Sequence, residues 1–276
     1  MHYTRLQVQC VPEYAEILMA ELAEIGFETF MENETGFEAY VEEERYDKDS
    51  LHSLKAKYLV HTDLHFTFER IEKRNWNEEW ERSYEPIIVD DQCLIKAEFH
   101  RIDKKYPYEI IITPKMSFGT GHHQTTYLML KNQMRVDHGN KRVMDVGCGT
   151  AILSIMACKR GAREIDAFDI DEWSVINGQE NIVVNGCSNI NIRRGTIAEV
   201  KPEGKYDIIL ANINKNVLLE ELKIYSGFLN VSGVLLLSGF YTKDIPDLLA
   251  EASKYGLVEF TRDEREGWAC LQLRRG

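Results

Sequence analysis

The residues best placed to do chemistry fall at the ends of predicted strands. Asp145-Val146-Gly147-Cys148-Gly149-Thr150-Ala151-Ile152 reads as an apolar strand, a glycine turn and the start of a helix. Two glycines at such a turn let the backbone come close to a ligand. The turn is not a dinucleotide fingerprint, because Ile152 stands where a small residue is required, and it is not a Walker A loop, because no Gly-Lys-Ser/Thr follows. Asp145, just before the first glycine, would repel a pyrophosphate and suits a ligand carrying an amine. Asp169 follows Gly147 by 22 residues, in Ala-Phe-Asp-Ile-Asp. An acid there accepts hydrogen bonds from both hydroxyls of a ribose, and Asp171 reads as the N-cap of the next helix. A site that wants a nucleoside, no pyrophosphate and a positive end fits S-adenosylmethionine.

Other reactive residues carry less. His122-His123 has no carboxylate or cysteine nearby to complete a metal set. Cys148 lies beside the loop but has no identifiable base partner. The six cysteines (Cys10, Cys93, Cys148, Cys158, Cys187, Cys270) form no C-x-x-C pair, which argues against a zinc cage or a disulfide framework. A reduced, cytoplasmic chain is expected. No apolar run approaches a membrane span, and the N-terminus does not read as a signal peptide.

The elements that must position these residues divide the 276-residue chain in two. Residues 1–72 read as β-α-β-β-α-β, the ferredoxin-like pattern. Its strands are Thr4–Cys10, Phe27–Met31, Gly36–Val41 and Asp63–Ile71. One helix opens at Pro12, with Ile17, Leu18, Leu22 and Ile25 as its stripe; the second presents Leu51, Leu54 and Tyr58. Residues 73–85 are a polar linker in which Trp76 and Trp80 share a helical face. Residues 86–276 hold three short strands, then alternating strands and helices from about Lys141. This is a doubly wound, Rossmann-like α/β domain. Val143–Val146, apart from Asp145, and Ile208–Leu210 are short and apolar, as buried parallel strands are.

Lys and Arg number 33 and Asp and Glu 45, a net charge of −12. Residues 1–72 hold six basic and sixteen acidic residues, so they carry −10 of it. Bulk charge therefore disfavours nucleic acid and leaves a basic partner open. Phe37 and Tyr40, on the third strand, superficially resemble the stacking aromatics of an RNA-recognition sheet, but Glu38, Glu42, Glu43 and Glu44 stand where cations would be needed. Core packing is the better account of both rings.

Asp145–Ser154 resembles the first motif of class I S-adenosylmethionine-dependent methyltransferases. Pro114–Thr126 (PKMSFGTGHHQTT) resembles the P-G-x-A-F-G-T-G-x-H-x-T-T segment of the bacterial ribosomal protein L11 methyltransferase family. Residues 206–214 (YDIILANIN), 76–80 (WNEEW) and 235–240 (LLLSGF) resemble further segments of that family. The resemblance runs from Trp76 to the C-terminus, and the first 72 residues match the family's substrate domain in type. It implies cofactor contacts at Thr126, Gly147, Asp169 and Asn212, with Gly149 in the same loop, and no metal. It also implies methyl transfer to lysine, and to an N-terminal amine, of ribosomal protein L11. Asn212 would orient the amine, without a strong general base. The departures are Lys115, Ser117, His122, Gln124, Ala151 and Asn214. His122 and Asn214 are expected on the active-site side. Another translation protein, or a nucleic-acid base, is the alternative acceptor; Asn212-Ile213-Asn214 lacks the prolines and aromatic of the base methyltransferases' N-P-P-Y.

Overall fold

The computed structural model describes residues 2–27, 29–33, 35–42, 47–59, 64–72, 84–113 and 118–275. They divide into two compact units, Met1–Trp80 and Glu81–Gly276. The expected linker pair Trp76 and Trp80, the acids Glu43 and Glu44, and the departures Lys115 and Ser117 lie outside the described residues.

In the first unit the order is strand His2–Gln9 (β1), helix Pro12–Glu24 (α1), strands Thr29–Asn33 (β2) and Gly36–Glu42 (β3), helix Lys48–Leu59 (α2) and strand His65–Glu72 (β4). The sheet order is β2-β3-β1-β4, with β1 antiparallel to both neighbours, in agreement with the split β-α-β pattern. Alternation along β1 and β3 sends Leu6, Val8, Phe37, Ala39 and Val41 to the helix-covered face. There they meet Leu18 and Leu22 of α1 and Leu51, Leu54 and Tyr58 of α2. Ile17, expected in the α1 stripe, is instead exposed; the buried stripe centres on Leu18 and Leu22, and Ile17 turns away from it. Phe37 is core, as expected. Tyr40 is not: odd positions of β3 face the helices, so Tyr40 emerges on the open face, where its hydroxyl donates to Glu38 Oε2 at 2.8 Å. Arg5 lies 3.7 Å from Glu38 on that face and also pairs with Glu69.

The second unit begins with a three-stranded sheet of Ile87–Val89 (β5), Cys93–Lys96 (β6) and Tyr108–Ile111 (β7). Helix Gln124–Gln133 (α3) leads into the main sheet. Its elements are Arg142–Val146 (β8), Ile152–Lys159 (α4), Glu164–Asp169 (β9), Glu172–Val184 (α5), Ile190–Arg194 (β10), Ile197–Val200 (α6), Tyr206–Asn212 (β11), Lys215–Phe228 (α7), Leu229–Tyr241 (β12), Ile245–Ser253 (α8), Leu257–Arg265 (β13) and Trp268–Arg275 (β14). The order is β10-β9-β8-β11-β12-β14-β13. β14 runs antiparallel to both its neighbours, and the strands from β10 to β12 are mutually parallel.

Both faces of this sheet are covered, which explains the largely apolar runs of β8 and β11. Val143, Ile208 and Leu210 join one core with residues of α3, α4 and α5; Met144, Val146, Ile209 and Ala211 join a second with residues of α6, α7 and α8. The chain leaves β8 for β9 on one side and returns to β11 on the other. That reversal opens a crevice at the C-terminal ends of β8 and β11, where ligands of such sheets collect. Among the described residues no helix is long and apolar enough to cross a membrane.

Candidate functional site

Register brings the expected residues to one edge. Val146 is paired with Phe168 on one side and with Ala211 on the other. The next residue of each strand is therefore Gly147, Asp169 and Asn212, side by side where the sheet ends. Gly147 and Gly149 both adopt left-handed backbone, φ +65° and +51°. A β-carbon on Gly147 would fall 2.4 Å from Ile213 Cγ2, and one on Gly149 2.3 Å from the Phe118 carbonyl oxygen. The turn thus needs glycine for conformation and for space.

The loop is fixed by its neighbours. Cys148 N donates to the Phe168 carbonyl at 3.0 Å and Gly149 N to Asp169 Oδ2 at 2.9 Å. Asp171 N donates to Asp169 Oδ1 at 3.0 Å, while Asp171 itself caps α5 by accepting from Ser174 N at 2.8 Å. Asp169 is thereby held in one rotamer, and a carboxylate oxygen with one bond has acceptor capacity left.

Above this edge lies a cavity of about 650 Å³. Gly147, Gly149, Asp169 and Asn212 line it. Asn212 Oδ1 is buried with no hydrogen-bond partner among the described residues. Thr126 is placed differently. It is fully buried in the first turn of α3 and does not line the wall; Thr125 does. Thr126 Oγ1 is also buried without a partner among the described residues. The orphaned Asn212 oxygen in the wall beside the glycine cradle fits a ligand that donates hydrogen bonds, since such an atom is costly to leave unpaired.

Asp145 stands beneath the loop and not in the wall. It is fully buried, and its Oδ2 accepts from Ser154 N at 3.0 Å and Ser154 Oγ at 2.6 Å. Burial pushes its carboxyl up to about 7. The expectation that it faces a ligand's amine is corrected accordingly: its visible bonds join β8 to α4. Burial also drives the Cys148 thiol well above its ordinary range, which leaves no thiolate for nucleophilic chemistry. Ala151 is buried with φ +61°. Glycine takes that conformation without penalty, which gives a physical reason for the residue usual there.

The two histidines separate. His122, expected on the active-site side, packs edge-on against Tyr84 at 4.8 Å and is absent from the wall. His123 is in the wall and caps α3, its Nδ1 accepting from Thr125 N at 3.3 Å. Among the described residues no group of three His, Cys, Asp or Glu side chains could hold a metal. Asn214 lines the cavity as expected, but its Oδ1 accepts from Val217 N at 3.2 Å, the N-cap of α7.

Sequence reasoning missed part of the wall. Trp268 opens β14, stacks on Tyr241 at 4.1 Å and meets the His123 ring edge-on at 4.6 Å. Ile170, Thr196 and Ile197 line the side beyond Asp169, and Glu220 and Glu221 of α7 face them. One signal was available: Glu266-Gly267 between two strand-like runs marks a hairpin, and both residues have positive φ, +49° and +79°. Recognising it would have put Trp268 at a strand start.

A sheet whose antiparallel strand is inserted sixth in line, with an acid-glycine turn at its switch point and an acid at the end of the adjoining strand, defines the class I S-adenosylmethionine-dependent methyltransferases. The family model described as "Ribosomal protein L11 methyltransferase (PrmA)" matches residues 6–276. A ribosomal protein L11 methyltransferase of Bacteroides fragilis is 40% identical over 266 residues, covering 96% of this chain and 95% of the relative. One from Porphyromonas gingivalis is 42% identical over 260 residues, covering 94% and 90%. The crystal structure of a ribosomal protein L11 methylase from Lactobacillus delbrueckii subsp. bulgaricus superposes with a TM-score of 0.63 at 28% identity, covering 70% of this chain and 98% of that one. The chain belongs to the ribosomal protein L11 methyltransferase family, and its cofactor is S-adenosylmethionine.

Proposed function

We propose that this protein transfers methyl groups from S-adenosylmethionine to lysine side chains, and to the N-terminal amine, of ribosomal protein L11, and that it works in the cytoplasm. Its relatives bear that name, and the observation that carries the chemistry is the orphaned Asn212 Oδ1 in the wall of the cavity. The cofactor site comprises Gly147, Gly149, Asp169 and Asn212; Thr126, turned to the core by the phase of α3, takes no part in this reading. When bound, S-adenosylmethionine supplies a sulfonium-activated methyl group to an attacking amine.

The chain's own residues have two tasks. The first is binding. Asp169, fixed by Gly149 N and Asp171 N, accepts from the ribose hydroxyls. The glycine turn lets the backbone approach. The second task is orientation, which supplies most of the rate when both reactants must meet in line. Asn212 Oδ1 accepts from the incoming amine and directs its lone pair. A lysine amine has an ordinary pKa of about 10.4 and must arrive neutral; packing of its stem against Phe118 and Trp268 of the wall would desolvate it in part and lower that value. In this reading the amine gives its proton to solvent before it attacks, and no wall side chain is assigned the role of base.

The first unit, residues 1–72, is the substrate-holding module in this reading, residues 73–85 are the linker and residues 86–276 the catalytic domain. The test uses purified protein with labelled S-adenosylmethionine and either L11 or ribosomal RNA. Label on L11 and none on RNA is expected; label on RNA alone overturns the assignment. Asn212→Ala tests the orienting role. Loss of turnover at saturating cofactor is expected, whereas weakened cofactor binding with intact turnover would reduce Asn212 to a binding residue.

A further inference from the structure

Helix α5 carries Asn177 and Asn181, and Asn185, four residues further on, is its C-cap. Asparagine is a poor helix-interior residue, because its side chain competes for nearby backbone groups. Here none of the three faces water freely: Asn177 and Asn181 are buried and Asn185 is half-buried. Their amides bond to another segment. Asn185 Oδ1 accepts from Ile111 N at 3.0 Å and its Nδ2 donates to Ile111 O at 2.6 Å, in the manner of a neighbouring strand. Asn177 Nδ2 donates to Thr113 O at 3.3 Å.

Asn181 does something different. Its Oδ1 accepts from Thr113 N at 2.8 Å, but its Nδ2 donates to Thr150 O at 3.0 Å, in the glycine turn. Thr150 in turn donates from N to Phe118 O at 3.0 Å and from Oγ1 to Gly119 O at 2.6 Å. Asn181 thus bridges two strands of backbone, and Thr150 ties the turn to the wall residue Phe118. The helix is seated on the turn at the same place: a β-carbon on Gly178 would lie 3.1 Å from Gly149 O.

We infer that Asn181 is a positioning residue for cofactor binding: through Thr150 it fixes the glycine turn and the Phe118 wall in mutual register without lining the cavity itself. Asn185 anchors the same segment at Ile111 and makes no bond to the turn, so it is the internal control. The inference rests on the cofactor occupying the cavity described above.

The test measures S-adenosylhomocysteine affinity by calorimetry and Tm by thermal unfolding on full-length Asn181→Asp, Asn181→Ser and Asn185→Ala. Asn181→Asp keeps the acceptor for Thr113 N and loses the donor to Thr150 O. Removing one partner of a buried bond costs enough to weaken binding by about tenfold. That loss is expected for both Asn181 variants, appearing as a rise in the KM for S-adenosylmethionine that exceeds any fall in kcat at saturating cofactor. Asn185→Ala is expected to lower Tm with affinity within about twofold of wild type. Asn181 variants that lower Tm but bind as wild type overturn the inference, as does an equal loss of affinity in the Asn185 variant. Asp169→Ala tests the cavity separately. If it binds as wild type, the cofactor site lies elsewhere and the failure belongs to that assignment.

Discussion

Asp145 and His138 are buried and titrate with opposite consequences. Burial raises the Asp145 carboxyl from its ordinary 3.8 to about 7. Between those values the folded chain holds a proton that the unfolded chain has released, so stability falls as pH rises, at up to about 1.4 kcal/mol per unit. His138 runs the other way. Burial lowers it from 6.5 to about 4, so in that window the unfolded chain binds a proton that the folded one does not, and stability rises with pH. From about pH 4 to 6.5 the two slopes offset each other. Asp145→Asn removes only the first. Urea unfolding is expected to show the variant gaining on wild type steadily from pH 4.5 to 7 and levelling above; a pH-independent difference would assign Asp145 an ordinary carboxyl. The glycines give a second prediction at this scale. Gly149→Ala must resolve a contact of 2.3 Å with Phe118 O from a left-handed backbone. Moving that carbonyl also disturbs its bond from Thr150 N, so S-adenosylhomocysteine affinity is expected to fall by about tenfold or more, since strain of this kind costs of order 1–3 kcal/mol. Unchanged affinity in calorimetry would show that the wall can yield without harm to the site.

At the level of elements, the position of Asn214 decides between chemistry and capping. Its Oδ1 bond to Val217 N closes the N-terminus of α7, a role worth about 1 kcal/mol. Asn214→Ala is expected to lower Tm by a few degrees while turnover at saturating substrates holds, and Asn214→Asp to keep the cap. A drop in turnover with unchanged Tm would return Asn214 to the reacting end. Capping residues were legible where the residue type is specific. Asp171 before α5 was expected from sequence, whereas the histidine cap of α3 and the Thr196–Glu199 capping box of α6 were not. Strands β8 and β11 were legible because burial on both faces leaves a largely apolar run that Gly147 and Asn212 follow or end, whereas β9 (EIDAFD) is interrupted by acids and closes on Asp169. β13 and β14 were not, because β13 alternates as LVEFTRDER with buried and exposed positions at a sheet edge and carries five charges. The turn between them decides the matter, and it is two residues long. The same limit hid Trp268. Thr126 shows a different limit: sequence correspondence names a residue, but only the helix phase of α3 shows that Thr125 faces the cavity and Thr126 the core.

Across the whole molecule the charge is partitioned: −10 of the −12 belongs to residues 1–72, and the rest of the chain is nearly neutral. Within the first unit the helix-covered face is apolar, while Glu38, Glu42 and Glu69 lie outside that core. On the open face of the sheet Arg5 is shared by Glu38 and Glu69, and Tyr40 is bonded to Glu38, so one cation is spread over more than one carboxylate. In the proposed substrate-holding role, such a surface attracts a basic protein at long range. Glu38→Gln, Glu42→Gln and Glu69→Gln combined are therefore expected to raise the KM for L11 by about threefold or more at low ionic strength, through encounter more than through contact. The KM for S-adenosylmethionine should stay at its wild-type value. Added salt should narrow the difference, because about 0.15 M ionic strength screens exposed charges beyond roughly 8 Å. Steady-state kinetics at two salt concentrations separates the cases. An L11 KM that does not move at low salt would make the acids a solvated surface, and a shift that persists at high salt would assign the effect to direct contacts on the open face.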